Sequence, residues 1–469
     1  MKKLTNACQG LGLLKTNGTH QGCAENYPYW RLRMFYSIYA GYLVFYFTRK
    51  SLAIATPDLI EKLNFSTVQI GLLITLFSIA YGISKFISGV ISDRSNPRYF
   101  LSIGLILTGV INIILSFSSE FYLFAIFWTL NAWFQGFGWP PCAKILTHWF
   151  SKKERGRWWA SWNTAHNVGG ALIPIIASTA ALFLGWRAAL WVPGIIAIVM
   201  GLILINRLRN TPESLGLPKI EYYKNDDVAA LKTQPSNPDI KNILTKYILN
   251  NKIIWILALT YTLIYLIRNG VNDWAILYFT QQGMDNIKAA SMVTLFEVGG
   301  FFGSLAAGFW SDYFFSGKRG PINVLFSLGS AMGIVTLLLF PEYILIFGGY
   351  SIFAIGFFIF GPQMLIGVAA AEQSHREAAG AATGFIGLFG YLGAAISGVP
   401  LGYIMQTWGW KGFFITLTLA GIMATLLLMP TWKTSLSNNE DQDEDQDGGQ
   451  DEDKDNLNSM NKETETSTG

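Results

Sequence analysis

The sequence predicts an all-α membrane protein in which twelve transmembrane helices form two six-helix bundles. Of its 469 residues, 51% are hydrophobic and only 14% are charged, whereas soluble domains carry about 25% charged residues. Apolar stretches long enough to cross a bilayer as a helix recur along the chain. Short motifs of the first half also return in the second half at a constant offset.

Twelve apolar stretches approach the length of about 20 residues that a helix needs to cross the hydrocarbon core. They are predicted at 34–53, 70–91, 98–117, 121–142, 160–184, 188–207, 252–280, 291–312, 321–340, 343–368, 378–403 and 411–431. The predicted organisation is a cytoplasmic N-terminal segment 1–33, an N-terminal bundle 34–207, a polar cytoplasmic linker 208–251, a C-terminal bundle 252–431 and a disordered acidic tail 432–469.

Charge is distributed unevenly along the chain. The stretch from Thr434 to Gly469 holds 12 of the 30 acidic residues and 2 of the 34 basic ones, so the rest carries a net charge of +14. Such a low-complexity acidic stretch is expected to be a disordered, solubilising tail. It lacks the spacing of a twelve-residue calcium loop.

Basic residues concentrate in alternate loops, which predicts the orientation in the membrane. Loops on one side contain Arg94, Arg98, Lys152, Lys153, Arg155, Arg157, Arg207, Arg209, Lys318, Arg319 and Arg376. The positive-inside rule places this side, both termini and the linker in the cytoplasm of a bacterial inner-membrane protein. Cys8 and Cys23 would then be free thiols, and residues 1–30 lack the apolar core of a signal peptide.

The pattern Tyr-xxx-Tyr-xx-Arg occurs in two predicted spans, 219 residues apart. Its copies are Tyr42, Tyr46 and Arg49, and Tyr261, Tyr265 and Arg268. Spacing of four and seven residues puts each set on one face of a helix. Because a guanidinium in lipid is costly unless it meets an anion or water, the two faces predict an anion held between two halves. Six spans per half predict parallel repeats.

The alternative for each arginine is an ion pair within the membrane. Asp58 lies nine residues after Arg49, and Asp273 lies five residues after Arg268, about 140° around the helix. Neither is a good partner on the same helix, so a ligand anion is favoured. Hydroxyls for that ligand are predicted from Tyr42, Tyr46, Tyr81, Tyr261, Tyr265 and Tyr391. Packing or interfacial anchoring is the alternative for each tyrosine.

Other polar side chains in the spans are candidates for the same site. Lys85 lies one turn after Tyr81, and its alternative is to extend toward the cytoplasm. His166 follows Asn163 in SWNTAHNVGG and could exchange a proton with a phosphate. Glu297 is predicted to pair with a cation once substrate leaves, or to carry protons. Asp273 joins it as a coupling candidate.

A second repeat supplies Asp93 and Asp312. Gly89-Val-Ile-Ser-Asp93 returns as Gly308-Phe-Trp-Ser-Asp312, again 219 residues later. At the ends of the second and eighth spans, these carboxylates are predicted to cap or pair with helix ends and to separate when the halves move. Zinc-ligand spacing, phosphate loops and nucleophile elbows are absent from the sequence. It therefore predicts no enzyme, no metal, no cofactor and no nucleic-acid partner.

Longer segments carry a family resemblance. They include FYFTRKS, SKFISGVISDRSNPRYF, WFQGFGWPPCAK, SWNTAHNVGGALIP, YLIRNGVNDW and EAAGAATGFIGLFGYLGA. From about Tyr29 to Pro430 the chain resembles the organophosphate:inorganic phosphate antiporter family of the major facilitator superfamily. Within it, the resemblance is greatest to the branch of hexose-phosphate transporters and the hexose-phosphate sensor.

The resemblance implies roles for particular residues. The two phosphate-binding arginines of the family match Arg49 and Arg268, its membrane histidine matches His166, and its second-span lysine matches Lys85. Phe360 stands where the glycerol-phosphate antiporter has a tyrosine. The eleventh span lacks the Asp and Lys of hexose-phosphate transporters, so neither match is complete. The tyrosines lining the family's glycerol-phosphate site match Tyr42, Tyr46, Tyr81, Tyr265 and Tyr391.

Two functions follow from this resemblance. The first is a monomeric transporter that exchanges a hexose phosphate, with glucose 6-phosphate favoured, for inorganic phosphate. The second is a sensor of external hexose phosphate that signals to a partner histidine kinase. A glycerol-3-phosphate antiporter is a further alternative.

Overall fold

The computed structural model describes residues 27–224, 248–374 and 379–433, and these residues form helices and short turns without a strand. Cys8, Cys23, nearly all of the predicted N-terminal segment and cytoplasmic tail, and most of the linker lie outside this range. The side chain of Asp93 also lies outside it, although the backbone there is helical.

Eight helices form the first half of the chain. They are α1 Tyr27–Leu63, α2 Thr67–Arg94, α3 Pro97–Phe117, α4 Phe121–Gln135, α5 Trp139–Trp149, α6 Lys152–Asn163, α7 Ala165–Leu184 and α8 Ala188–Arg207. Helices α4 and α5 together make the fourth span, and α6 and α7 make the fifth. A 3₁₀ turn, Pro212–Leu215, and the short helix α9, Ile220–Tyr223, follow.

The second half contains six long helices. They are α10 Lys252–Gln281, α11 Asn286–Phe315, α12 Arg319–Leu339, α13 Ile344–Glu372, α14 Ala379–Ile396 and α15 Val399–Leu428. Helix α15 contains a non-helical residue, Gly409, at φ 61° and ψ −163°. The part of α15 before Gly409 continues the eleventh span, and the part after it forms the twelfth.

These helices account for the twelve predicted spans. Nine helical stretches in the described residues are long and apolar enough to cross a membrane, and Ala381–Trp432 contains two spans. Helix α1 and the pair α4 and α5 supply the remaining two. Large apolar side chains such as Phe117, Phe183, Tyr350 and Leu426 are exposed on the outer surface, as expected where helices face lipid.

Several spans reach beyond their predicted limits. The first helix begins at Tyr27 rather than residue 34, and the fourth and fifth spans continue to Trp149 and from Lys152. Hydropathy detects only the part of a helix that lies in hydrocarbon. The polar ends remain helical because residues there favour a helix by themselves. Ser151 and Glu154, for example, form a capping box that starts α6.

Breaks in the fourth and eleventh spans follow from glycine and proline. Helix α4 ends before Gly136, where an added Cβ would lie 2.3 Å from Ser84 Oγ, so only glycine permits this approach. Pro140 and Pro141 then occupy the first turn of α5, where their missing N–H groups cost nothing. The eleventh span breaks at Gly398, before Pro400.

The two halves meet at the ends of three pairs of spans. The pairs are α1 with α10, α2 with α14 and α15, and α7 with α11. We call the face that carries Tyr27 and the ends of α2, α5 and α11 the terminal face, and the other the opposite face. Thr75 Oγ1 donates to the Ala395 carbonyl at 2.8 Å and Thr294 Oγ1 donates to the Ala171 carbonyl at 2.8 Å. Both contacts lie toward the opposite face and close it.

The start of the predicted linker packs on the first half. The rings of Tyr27 and Tyr223 stack 4.1 Å apart, and the Tyr27 hydroxyl donates to the Pro218 carbonyl at 3.0 Å. Leu217 and Ile220 are buried. This part of the predicted linker therefore packs on the first half, because its few apolar residues cover the end of α1.

Candidate functional site

A cavity of about 600 Å³ lies between the two halves. Exposed Gly156 and Val368 line its open end toward the terminal face. The structure brings twelve of the predicted residues to this cavity: Tyr42, Tyr46, Arg49, Tyr81, Lys85, Asn163, His166, Tyr261, Tyr265, Arg268, Asp273 and Tyr391. Glu297 and Asp312 do not line it.

Arg49 enters the cavity from α1 between two tyrosine rings. Its guanidinium carbon lies 4.7 Å from the centre of Tyr46 and 4.1 Å from that of Tyr81. Nη1 donates a long hydrogen bond of 3.3 Å to the Tyr46 hydroxyl, whereas Nε is buried without a hydrogen-bond partner among the described residues. Ring faces stabilise the cation but leave N–H donors free for a ligand.

Arg268 enters from α10 on the other side and is 8% exposed. Its guanidinium carbon lies 4.7 Å from the Phe360 ring and 5.8 Å from the Tyr265 ring. Its Nε is also buried without a partner among the described residues. An unsatisfied buried N–H of a cation is costly, so both arginines favour an anion that supplies acceptor oxygens.

His166 lies between an aromatic ring that contacts Arg49 and one that contacts Arg268. Its ring lies 5.8 Å from Tyr46 and 6.1 Å from Phe360, measured between ring centres. Nδ1 contacts the Asn163 carbonyl, and Nε2 is buried without a partner in the described chain. Since the carbonyl is an acceptor, it favours the proton on Nδ1, and Nε2 is then left to accept a proton from a ligand.

The tyrosines and Lys85 connect the halves across the cavity. Lys85 Nζ lies 3.4 Å from the Tyr391 hydroxyl, so it points inward rather than toward the terminal face. The Tyr391 ring lies 5.1 Å from Tyr81 and 6.1 Å from Tyr265. Tyr42 packs against Trp162 at 4.7 Å. These residues surround the arginines with aromatic rings and neutral hydroxyls.

Glu297 is fully buried beside the cavity and contacts amides instead of a cation. Its carboxylate accepts hydrogen bonds from Asn272 at 2.7 Å and from Asn167 at 3.2 Å. A Cβ added to Gly170 would lie 2.8 Å from its Cδ. Glu297 thus joins α11 to α7 of the other half. In this conformation no arginine or lysine of the described residues forms an ion pair with it.

Asp273 pairs with a residue that the sequence reasoning missed. Lys50 Nζ donates to Asn272 Oδ1 at 2.5 Å and lies 3.4 Å from Asp273 Oδ1. Lys50 is 8% exposed. The sequence did contain a signal for Lys50, because this second cation directly follows Arg49 within an apolar stretch. With Asn272 and Glu297, it forms a polar connection between the halves.

Asp312 lies at the terminal face, away from the cavity. Arg319 Nη1 lies 2.6 Å from its carboxylate, and Nη2 lies 3.1 Å from Glu372. The carboxylate of α11 is thus joined to α12 and α13 within one half. The corresponding side chain of Asp93 lies outside the described residues.

A buried amide network lies directly behind Arg49. Asn131 Nδ2 donates to the Thr48 carbonyl at 3.1 Å, and Asn112 Nδ2 approaches it at 3.4 Å. Gln135 Nε2 donates to Thr48 Oγ1 at 2.7 Å and to the Phe45 carbonyl at 3.2 Å. All four polar residues are at most 1% exposed. Helices α3 and α4 therefore hold α1 at one rotation about its axis, with Arg49 toward the cavity.

Asn131→Leu or Gln135→Leu is expected to weaken the binding of an anion at Arg49 about two- to tenfold, the effect of one or two net hydrogen bonds. Titration of the purified protein with inorganic phosphate as the probe anion measures the affinity. Asn323→Leu, another buried asparagine, is the control. An equal loss of affinity in the Asn323→Leu protein would indicate general destabilisation rather than an effect through Arg49.

The spans and the buried cationic cavity between two halves define a multi-pass membrane protein of the transporter class rather than an enzyme. Within the described residues no group of three His, Cys, Asp or Glu side chains could hold a metal ion. The chain belongs to the major facilitator superfamily, whose family model matches residues 38–398.

Curated relatives narrow this assignment. The chain is 50% identical over 423 residues to a Chlamydia trachomatis serovar D protein described as "Probable hexose phosphate transport protein" (88% of this chain, 93% of the relative). It is 51% identical over 406 residues to "Membrane sensor protein UhpC" of Escherichia coli K12 (86% and 92%). It is 40% identical over 412 residues to the "Glycerol-3-phosphate transporter" of Bacillus subtilis strain 168 (86% and 93%). The predicted family is thereby confirmed.

A solved structure supports the fold alone. A bacterial homologue of the human lysosomal transporter Spinster, described as inward-facing and occupied, aligns with a TM-score of 0.69 at 15% identity. The alignment covers 87% of this chain and 98% of the other. The predicted major facilitator fold is confirmed.

Proposed function

We propose that this protein exchanges a hexose phosphate, with glucose 6-phosphate favoured, for inorganic phosphate. The observation that carries the proposal is the pair of guanidinium groups of Arg49 and Arg268. They come from different halves, line one cavity, and each keeps a buried Nε without a hydrogen-bond partner in the described chain. A phosphate group has enough acceptor oxygens to engage both forks at once.

The relatives and the cavity favour a sugar phosphate. Transport proteins at 50% identity are described as acting on hexose phosphate. A volume of about 600 Å³ lies within the usual range of small-molecule sites. Phe360 offers no hydroxyl beside Arg268, which weakens the alternative of glycerol 3-phosphate. We assign the ligand contacts to ten of the predicted residues that line the cavity: Tyr42, Tyr46, Arg49, Tyr81, Lys85, Asn163, His166, Tyr265, Arg268 and Tyr391.

Transport would proceed by rocking of the bundles 34–207 and 252–431 around the bound phosphate. The opposite face is closed by contacts between α1 and α10, α2 and α15, and α7 and α11. An empty cavity leaves two cations facing each other, which disfavours closure without substrate and enforces exchange. Lys50, Asp273 and Glu297 belong to the contacts that must separate, and Asp93 and Asp312 to those that would rearrange at the terminal face.

The basic loops support an orientation with both termini in the cytoplasm of a bacterial inner membrane. The cavity would then be open to the cytoplasm. We propose a monomer, because each chain contains both halves of the site.

Liposomes loaded with phosphate are expected to take up glucose 6-phosphate, whereas liposomes without internal phosphate are expected to take up almost none. Labelled sugar phosphate measures the uptake, and protein-free liposomes are the control. Undiminished uptake without internal phosphate would contradict obligate exchange.

A sensor is the second candidate, because the sensor relative is as similar as the transport proteins, at 51% identity. The same cavity would bind external hexose phosphate and signal to a partner histidine kinase. Binding of glucose 6-phosphate by the purified protein without any exchange in liposomes would favour the sensor. Rapid exchange would favour the transporter.

A further inference from the structure

We propose that the cavity contains a separate subsite for the hexose ring, formed by Trp139, Trp159 and Gln363 with Lys85 and Tyr391. The inference rests on the proposed function, since it assigns the sugar part of that substrate. These five side chains line the same cavity as the arginines.

Helix geometry places this subsite about one helical turn nearer the terminal face than the phosphate. Helix α2 runs toward the terminal face, and Lys85 lies four residues beyond Tyr81, whose ring contacts Arg49. Helix α13 runs the same way, and Gln363 lies three residues beyond Phe360, whose ring contacts Arg268. At about 1.5 Å per residue, the two side chains start about 4.5 Å (Gln363) and about 6 Å (Lys85) nearer the terminal face. A hexose 6-phosphate has its ring one ester oxygen and one methylene from phosphorus, so the ring would reach this layer.

One wall of the subsite is aromatic. The rings of Trp139 and Trp159 lie 5.7 Å apart at 70°, and Lys85 Nζ lies 5.1 Å from Trp139 and 5.3 Å from Tyr391. Indole faces pack well against the apolar C–H face of a pyranose, and Lys85 and Tyr391 add polar groups at its edge. Inorganic phosphate has no apolar face that could pack against these indole rings.

Gln363 supplies an acceptor on the other half. Its Oε1 is buried and has no hydrogen-bond partner in the part of the chain that is described, although the residue lines the cavity. Its backbone is held in place, because the Tyr261 hydroxyl donates to the Gln363 carbonyl at 3.1 Å. An unpaired neutral amide oxygen suits a sugar hydroxyl, which can donate a hydrogen bond to it.

The subsite is tested by comparing two ligands on the same reconstituted protein. Exchange of labelled phosphate is measured, and its inhibition by external glucose 6-phosphate gives the affinity for the sugar phosphate. For Gln363→Leu and, separately, Trp139→Leu, we expect inhibition by glucose 6-phosphate to weaken about tenfold. The KM for phosphate should stay within twofold of the unchanged protein.

Gln281→Leu is the matched control, because this exposed glutamine bonds Trp410 at the opposite face, outside the cavity. If the variants change both ligands equally, lose phosphate exchange altogether, or change neither, the subsite is overturned while the proposed exchange stands. If the unchanged protein exchanges phosphate but ignores glucose 6-phosphate, the proposed substrate fails and the subsite fails with it.

Discussion

Replacing either Arg49 or Arg268 by alanine is expected to abolish exchange of both phosphate and hexose phosphate. Each guanidinium can make two charge-assisted hydrogen bonds to one phosphate, and such bonds contribute about 1.5–3 kcal/mol each. Losing the two hydrogen bonds of one guanidinium corresponds to a decrease in affinity for phosphate of about 10²- to 10⁴-fold. Labelled phosphate exchange in liposomes measures the loss, normalised to the amount of reconstituted protein.

Lysine at either position should also fail. It keeps the positive charge, but it replaces a planar fork by a single point donor, and the rings around each guanidinium leave little freedom to compensate. Arg187→Lys is the control, since this arginine bonds Ser119 near the opposite face, at the exposed surface. Full activity of any single alanine variant at position 49 or 268 would contradict a phosphate site shared between the halves.

A leucine at Gly398 is expected to prevent closure of the opposite face and to stop exchange almost completely. A Cβ added there would lie 2.3 Å from the Gly71 carbonyl oxygen and equally close to Thr75 Oγ1. Both neighbours are on α2 of the other half, and one of them is backbone. The chain therefore cannot accommodate a side chain without separating α2 from the eleventh span.

The measurement combines exchange with access from the opposite face. A cysteine at Thr75, which also lies in this contact, should react with a membrane-impermeant thiol reagent much faster in the Gly398→Leu protein. Gly387→Leu on the same span is the control, because a Cβ there meets nothing within 4 Å. Normal exchange by Gly398→Leu would show that this contact does not have to form during transport.

Much of the site could be predicted because membrane burial makes each charge in a span informative. Arg49, Arg268, Lys85 and His166 were identified from their position in apolar stretches, and all of them line the cavity. The repeat added the expectation that the two arginines act together. Their role in binding remains a prediction.

Lys50 and the partners of Glu297 were not predicted. Lys50 contacts Asn272, 222 residues away along the chain, and Glu297 contacts Asn167 from the other half. A single sequence does not show which helices face each other across the interface. Neutral asparagines within a span also give a weaker signal than charges, because they tolerate burial once hydrogen-bonded.

The sequence by itself determined the class of fold and the duplicated cations. In lipid every backbone polar group must be satisfied within the chain, so long apolar stretches can only be helices, and their basic loops predict the orientation. Tertiary structure alone decided which ends of the spans meet, and therefore that the cavity is closed at the opposite face. It also decided that Lys50 pairs with Asp273, because that contact depends on the packing of α1 against α10 rather than on either helix alone.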